Sequence, residues 1–133
     1  MSTENIKRNF EQLILYGIIG CLSATVDFVF YNVLAICIGL HYIIANSISV
    51  LIGILTSFSL NRTFNFKVKD KIVVRFSLFF TCGMLGLFLI NAILWLGIDN
   101  YHFSEIGTKI VSIFIVALLQ FIFNKFITFK QTK

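Results

Sequence analysis

Ionisable and amide side chains interrupt the long apolar stretches of this 133-residue sequence. Such groups are costly to place in an apolar medium, so their presence there favours a functional site over simple packing. A carboxylate and an ammonium can form an ion pair, and two amides can donate and accept hydrogen bonds, either within the protein or to a polar ligand. The candidate binding residues of this first group are Asp27, Asn46, Asn91 and Lys109.

A second group of candidate residues lies in two similar segments, FSLNRTFNFK at 58–67 and FIFNKFITFK at 121–130. A cation at the end of a membrane helix lies at the level of lipid phosphates, and an amide beside it can satisfy free helix carbonyls or bind a head group. The segments therefore predict either simple anchoring or a phosphate-binding recess after each apolar run. The residues concerned are Asn61 with Arg62, and Asn124 with Lys125.

Phenylalanines accompany both segments. Phe64 and Phe66 lie in the first, and Phe126 and Phe129 lie in the second. Aromatic rings beside lysines are typical of segments that lie at a membrane interface, so we expect all four rings to sit at the acyl boundary.

The elements that position these residues must be membrane helices. Hydrophobic residues form 58% of the chain, charged residues only 13%, and the mean hydropathy is +0.92. Only helices or closed barrels satisfy their backbone groups in hydrocarbon, and apolar runs of about 18 or more residues decide for helices. The spans are predicted at roughly 13–38, 43–60, 76–98 and 106–123.

The connections between these spans predict two helical hairpins. Residues 39–42 and 99–105 are short tips, and a longer basic loop joins the second span to the third. The fold class is therefore predicted to be an all-α membrane protein with four transmembrane helices, folded as one domain over 1–133.

The cations indicate the orientation of the hairpins. The tips carry none. The cations are Lys7 and Arg8 before the first span, Arg62, Lys67, Lys69, Lys71 and Arg75 in the loop between the second and third, and Lys125, Lys130 and Lys133 after the fourth. The positive-inside rule then predicts that both termini and the central loop are cytoplasmic and that the tips face outward.

The two hairpins are predicted to be copies of each other. Asn61 and Asn124 are 63 positions apart, and the same offset pairs Phe66 with Phe129 and Gly20 with Gly83. Because each copy has two spans, both keep the same orientation, as parallel repeats at about 12–67 and 75–130.

The polar residues within the spans are predicted to share one layer. Asp27, Asn46 and Lys109 each lie 15 positions from the inner start or end of their span, or about 22 Å at the rise of a helix, and Asn91 lies at about 24 Å. Helical spacing places them on inward faces, with close helix approach expected at Gly20, Gly83 and Gly86.

We expect Asp27 and Lys109 to form a buried ion pair, helped by Asn46 and Asn91. Two structural alternatives stay open: the pair could serve only to set the helix register, or Lys109 could extend to the outer surface.

The whole chain, about residues 8–130, resembles the GtrA-like family of small four-span membrane proteins. The resemblance rests on Gly20 with Asp27, Ala45-Asn46, the segment 58–62 with Phe66, Lys109, and the segment 123–125 with Phe129. Members often carry Trp two residues after the cation, where this chain has Phe64 and Ile127.

The resemblance implies translocation of a polyprenyl-phosphate-linked monosaccharide, such as an undecaprenyl-phosphate sugar, across a bacterial plasma membrane. The sugar would then be added to teichoic acid, O-antigen or a related polymer. In this hypothesis Arg62 and Lys125, with their asparagines, capture the lipid phosphate, and the polar layer handles the head group. Membrane glycosyltransferases and a second copy of the chain are the expected protein partners, and nucleic acid is not.

Two alternatives remain. The chain could be an accessory subunit that positions a glycosyltransferase without transporting anything. A small multidrug-type proton-coupled exporter also has four spans and a membrane carboxylate, but the one-sided cations and Lys109 disfavour it. We expect no enzymatic activity, metal or cofactor, because the sequence has no Asp-x-Asp motif, no phosphate loop and no metal-ligand spacing.

Overall fold

The computed structural model describes residues 2–130, and this range is helical with no strand. Each of the four helices continues into a wider π-helical turn, and with that turn each is long and apolar enough to cross a membrane. The predicted class, an all-α membrane protein with four transmembrane helices, is confirmed. The helices with their turns are α1 Thr3–Asn32 with Val33–Cys37, α2 Tyr42–Leu60 with Asn61–Asn65, α3 Ile72–Leu94 with Trp95–Asn100, and α4 Glu105–Phe123 with Asn124–Thr128.

The helices start earlier than the apolar spans, because local caps and not hydrophobicity set their first residues. Ser2 Oγ accepts a hydrogen bond from the Asn5 amide at 3.3 Å, which starts α1 well before Leu13. Ser104 Oγ does the same for the Gly107 amide at 3.1 Å at the start of α4. Lys133, predicted among the inner cations, lies outside the described residues.

The first three helices end in the same way. The Ile38, Phe66 and Tyr101 amides donate to carbonyls five residues earlier, at 3.0, 2.8 and 3.2 Å. A residue with positive φ follows in each case: Gly39 at +82°, Lys67 at +54° and His102 at +56°. This is a wider version of the left-handed helix cap, and it satisfies carbonyls that would otherwise face the apolar phase.

The wide turn after α2 corrects the prediction of a long basic loop. Helical structure runs on to Asn65 and begins again at Ile72, so only residues 66–71 connect the two helices. Arg62 and Arg75, both assigned to the loop from sequence, therefore lie on helical backbone.

The chain forms two compact units, Met1–Lys69 and Asp70–Lys133. In the first, α1 packs against α2, and Ala45 and Ser49 of α2 are fully buried. In the second, α3 packs against α4, and Ser112 is fully buried. Ser49 Oγ donates to the Asn46 carbonyl and Ser112 Oγ to the Lys109 carbonyl, at 3.0 and 2.7 Å.

The bounds of α2 and α4 differ by 63 positions at both ends, the offset found in the sequence. The turns Asn61–Asn65 and Asn124–Thr128 match at the same offset. The duplication of a hairpin, its parallel orientation and the single-domain assignment stay predictions.

Close helix approach occurs at other glycines than the sequence suggested. A Cβ built on Gly20 or Gly83 meets no described atom within 4 Å, so the prediction for these two is wrong. A Cβ on Gly53 would lie 3.1 Å from Asp27 Cβ and 3.3 Å from the Ser23 carbonyl oxygen. Gly86 is tighter still, since a Cβ there would overlap the end of the Gln120 side chain and lie 3.1 Å from Val116 Cγ1, as expected. Glycine is needed where the backbone of the neighbouring helix comes close. The pattern of small residues along one helix does not show where its neighbour approaches.

Gly53→Ala is expected to destabilise the first unit, because α1 must move away from α2 to accommodate the methyl group. The loss should be about 1–2 kcal/mol relative to Gly20→Ala, the matched control at an open position. Reversible unfolding of the detergent-solubilised protein measures both. Equal stability of the two variants would contradict the observed helix approach.

Candidate functional site

Amide side chains close the first unit at the end where α2 finishes. Asn61 is fully buried, and its Nδ2 donates to the Ser57 carbonyl at 3.0 Å, a carbonyl that also accepts from the Asn61 backbone amide. Asn65 Nδ2 donates to Asn61 Oδ1 at 3.0 Å and to the Gln12 carbonyl of α1 at 3.1 Å. A buried polar network thus joins α2 to α1 where the two helices leave the apolar region.

The second unit has a corresponding network with a different donor. Thr128 Oγ1 donates to Asn124 Oδ1 at 2.8 Å, as Asn65 does to Asn61. The bond between helices, however, runs from Arg75 Nη1 of α3 to the Thr128 carbonyl at 2.8 Å. Arg75 is 4% exposed and also donates to the Asp70 carbonyl and to Asp70 Oδ1, at 2.9 and 2.8 Å.

Arg75 is therefore a structural residue that sequence reasoning treated only as a topogenic cation. The available signal was its position: Arg75 and Thr128 are 53 residues apart, as are Gln12 and Asn65. The two helices of each unit are thus joined at equivalent positions. The donor is on the second helix of the first unit, at Asn65, and on the first helix of the second unit, at Arg75.

The aromatic residues of the two motifs divide into two classes. Phe64 and Phe126 are about 60% exposed, consistent with the predicted interfacial position. Phe66 and Phe129 are only 3% and 1% exposed, so their predicted interfacial position is wrong. The wide turn directs each ring into the helix pair of its own unit. In the second unit the ring centroids of Phe129 and Phe79 are 5.9 Å apart.

The predicted phosphate-binding cations lie beside the buried asparagines and are half-buried. Arg62 Nη2 donates to the Lys69 carbonyl, while its Nε is buried with no hydrogen-bond partner in the described chain. Lys125 Nζ lies 5.8 Å from the ring centroids of both Phe121 and Phe126. Exposed lysines, Lys67 and Lys130, follow each turn. The wide turns after α2 and α4 thus each carry a cation beside an asparagine whose side chain is already hydrogen-bonded within the protein.

Two of the predicted polar-layer residues meet in the first unit. Asp27 and Asn46 line one cavity of about 320 Å³, together with Ala24, Phe28 and Tyr31. Gly53 lies against the Cβ of Asp27 and lets α2 approach α1 there. The cavity lies about 15 Å along α1 from the end of its wide turn, and so well inside the span.

The other two polar-layer residues belong to the second unit. Asn91 on α3 and Lys109 on α4 are both exposed, and neither lines this cavity. The Asp27–Lys109 ion pair joins two units that are described separately, so it stays a prediction.

Four helices that are each long and apolar enough to cross a membrane define a multi-pass membrane protein. Residues 15–129 match the family described as GtrA/DPMS, transmembrane domain, and the chain belongs to that family. No curated protein and no solved structure gives a significant match. Membership supports a part in the handling of polyprenyl-phosphate-linked sugars in general.

Arg75→Gln is expected to lower the stability of the second unit by about 1–3 kcal/mol, because the Thr128 carbonyl loses its donor in a buried position. The Asp70 carboxylate is half exposed, so its charge adds little. Adding Thr128→Asn should restore part of the loss, since this pair of residues reproduces the Gln12–Asn65 arrangement of the first unit.

Hydrogen exchange of the Phe129 amide, which donates to the Asn124 carbonyl, reports on the integrity of this turn. Arg8→Gln at an exposed site is the control and should leave exchange unchanged. Slow exchange retained in Arg75→Gln would show that the hydrogen bond from Arg75 to the Thr128 carbonyl does not stabilise this turn.

Proposed function

We propose that the protein moves a polyprenyl-phosphate-linked monosaccharide from the cytoplasmic to the outer leaflet of a bacterial plasma membrane. The sugar then serves the glycosylation of a surface polymer such as teichoic acid or O-antigen. The chain itself catalyses no reaction and requires no metal or cofactor.

The observation that carries this proposal is the cavity that contains Asp27 and Asn46. A membrane span tolerates a carboxylate and an amide poorly unless they meet a polar partner, and a hydroxyl-rich head group offers such a partner. The cavity is a concave site with a few convergent polar groups, the usual form of a small-molecule site.

The inner cations support the first step of the proposed path. Arg62 and Lys125 stand at the helix ends where lipid phosphates lie, next to Asn61 and Asn124. Because both asparagines are engaged within the chain, their proposed part is to hold the turn that presents the cation. Lys109, with Asn91 on the neighbouring helix, then receives the phosphate as the head group moves across, and Asp27 is its partner when no lipid is bound.

One helical hairpin is too small to enclose the sugar head group along the proposed path. A second copy of the chain or a membrane glycosyltransferase is the proposed neighbour, since either would shield the head group from hydrocarbon.

Reconstituted protein is expected to exchange radiolabelled undecaprenyl-phosphate glucose between the leaflets of proteoliposomes. Asp27→Asn and Lys109→Ala should each slow exchange by about tenfold or more, the effect of losing one charge-assisted hydrogen bond. Lys7→Gln, at an exposed site on α1, is the matched control and should exchange like the original.

No exchange by well-folded protein would refute transport by this chain alone. Recovery only when a glycosyltransferase is added would then favour the accessory-subunit function, which relies on the same basic inner ends.

The proposed orientation predicts the reactivity of introduced cysteines. In a variant whose three native cysteines are replaced, Asp99→Cys at a hairpin tip should react with an impermeant maleimide in intact spheroplasts. Lys71→Cys, between α2 and α3, should react only after lysis. The opposite pattern would place the termini outside.

A further inference from the structure

We propose that the Asp27 cavity is the sugar subsite and that it selects a neutral monosaccharide over one that carries a carboxylate. This inference rests on the proposed function and adds to it the chemical class of the cargo. It places the sugar ring in the cavity and the phosphate, which is bonded to that ring, just outside the cavity.

The chemistry of the lining fits a pyranose. An ionised carboxylate only accepts hydrogen bonds and can take two adjacent hydroxyls, while the Asn46 amide both donates and accepts. The rings of Phe28 and Tyr31 line the same cavity, and Tyr31 adds a hydroxyl to an aromatic surface. A sugar presents just these two aspects, with hydroxyls around its rim and C–H groups on its faces.

The charge of the lining excludes an anion. Asp27 is the only ionisable carboxyl among the residues that line the cavity, and no lysine, arginine or histidine is among them. A phosphate or a uronate carboxylate in this space would face Asp27 with no compensating cation in the lining, which is unfavourable in a site of low dielectric. The phosphate of the lipid must therefore lie outside the cavity.

The size of the cavity favours one sugar ring. Its volume of about 320 Å³ has room for one sugar ring, and the exposed Phe28 and Asn46 leave it open on one side. The helices around the cavity are also closely packed, because a Cβ built on Gly53 would lie only 3.1 Å from Asp27 Cβ. A tightly packed helix pair holds the carboxylate in place.

A larger cavity in the second unit is less suited to this role. It measures about 580 Å³, and its lining is mainly apolar, with hydroxyls from Tyr101, Ser104 and Thr108. It contains no carboxylate, amide or cation with which to orient a head group.

Equilibrium binding to the detergent-solubilised full chain tests the inference. The probes are undecaprenyl-phosphate glucose and undecaprenyl-phosphate glucuronate, which differ at one carbon. The original protein should bind the glucose lipid more tightly by about tenfold or more. Asp27→Asn should reduce this preference to within about threefold, because the repulsion is lost.

Two further variants keep the test decisive if Asp27→Asn folds poorly. Asn46→Asp, which is nearly isosteric, adds a second carboxylate to the lining and should increase the preference for the glucose lipid. Glu11→Gln removes an exposed carboxylate of α1 outside the cavity and should leave the preference unchanged.

Equal binding of the two lipids by the original protein, or a preference that both cavity variants leave unchanged, would overturn the inference. Leaflet exchange of the two lipids at equal rates would also overturn the inference, but it would leave the proposed function standing. Selective binding without exchange would support the sugar subsite and refute transport by this chain alone.

Discussion

Hydrocarbon offers no hydrogen-bond partner, and this constraint governs every helix end in the protein. The last carbonyls of a helix have no partner within it, and water is not available until the chain has left the apolar region. Here wide turns, left-handed residues and buried side chains supply the missing bonds. Arg75 does so for the Thr128 carbonyl in the second unit.

This constraint also explains the repeated Asn-cation motif. The buried asparagine bonds within the turn, the buried phenylalanine five residues later packs against the helix pair, and the cation between them is half-buried. The asparagine and phenylalanine are therefore structural, and a direct part in ligand binding is proposed for the cation alone. Arg62 and Lys125 are thus placed reproducibly, which a flexible basic loop could not achieve.

Much of the architecture could be predicted from the sequence. The four spans follow from apolar length, since about 20 residues are needed to cross hydrocarbon. The offset of 63 residues anticipated the matching bounds of α2 and α4. The early start of α1 and the short connection at 66–71 were missed, because caps and wide turns depend on single hydrogen bonds and not on hydropathy. The burial of Phe66 and Phe129 was missed for the same reason.

The candidate site divides in a similar way. The sequence alone determined that this is a four-span membrane protein, and it singled out Asp27 and Asn46 because polar groups are rare and costly in such spans. Only the tertiary structure decided that these two share a cavity, that Gly53 and not Gly20 is the point of close approach, and that Arg75 clamps a turn. A polar group within an apolar run can be recognised from sequence, because such a group is costly there. Its partner depends on how a second helix packs, and contacts between residues as far as 53 positions apart determine that packing.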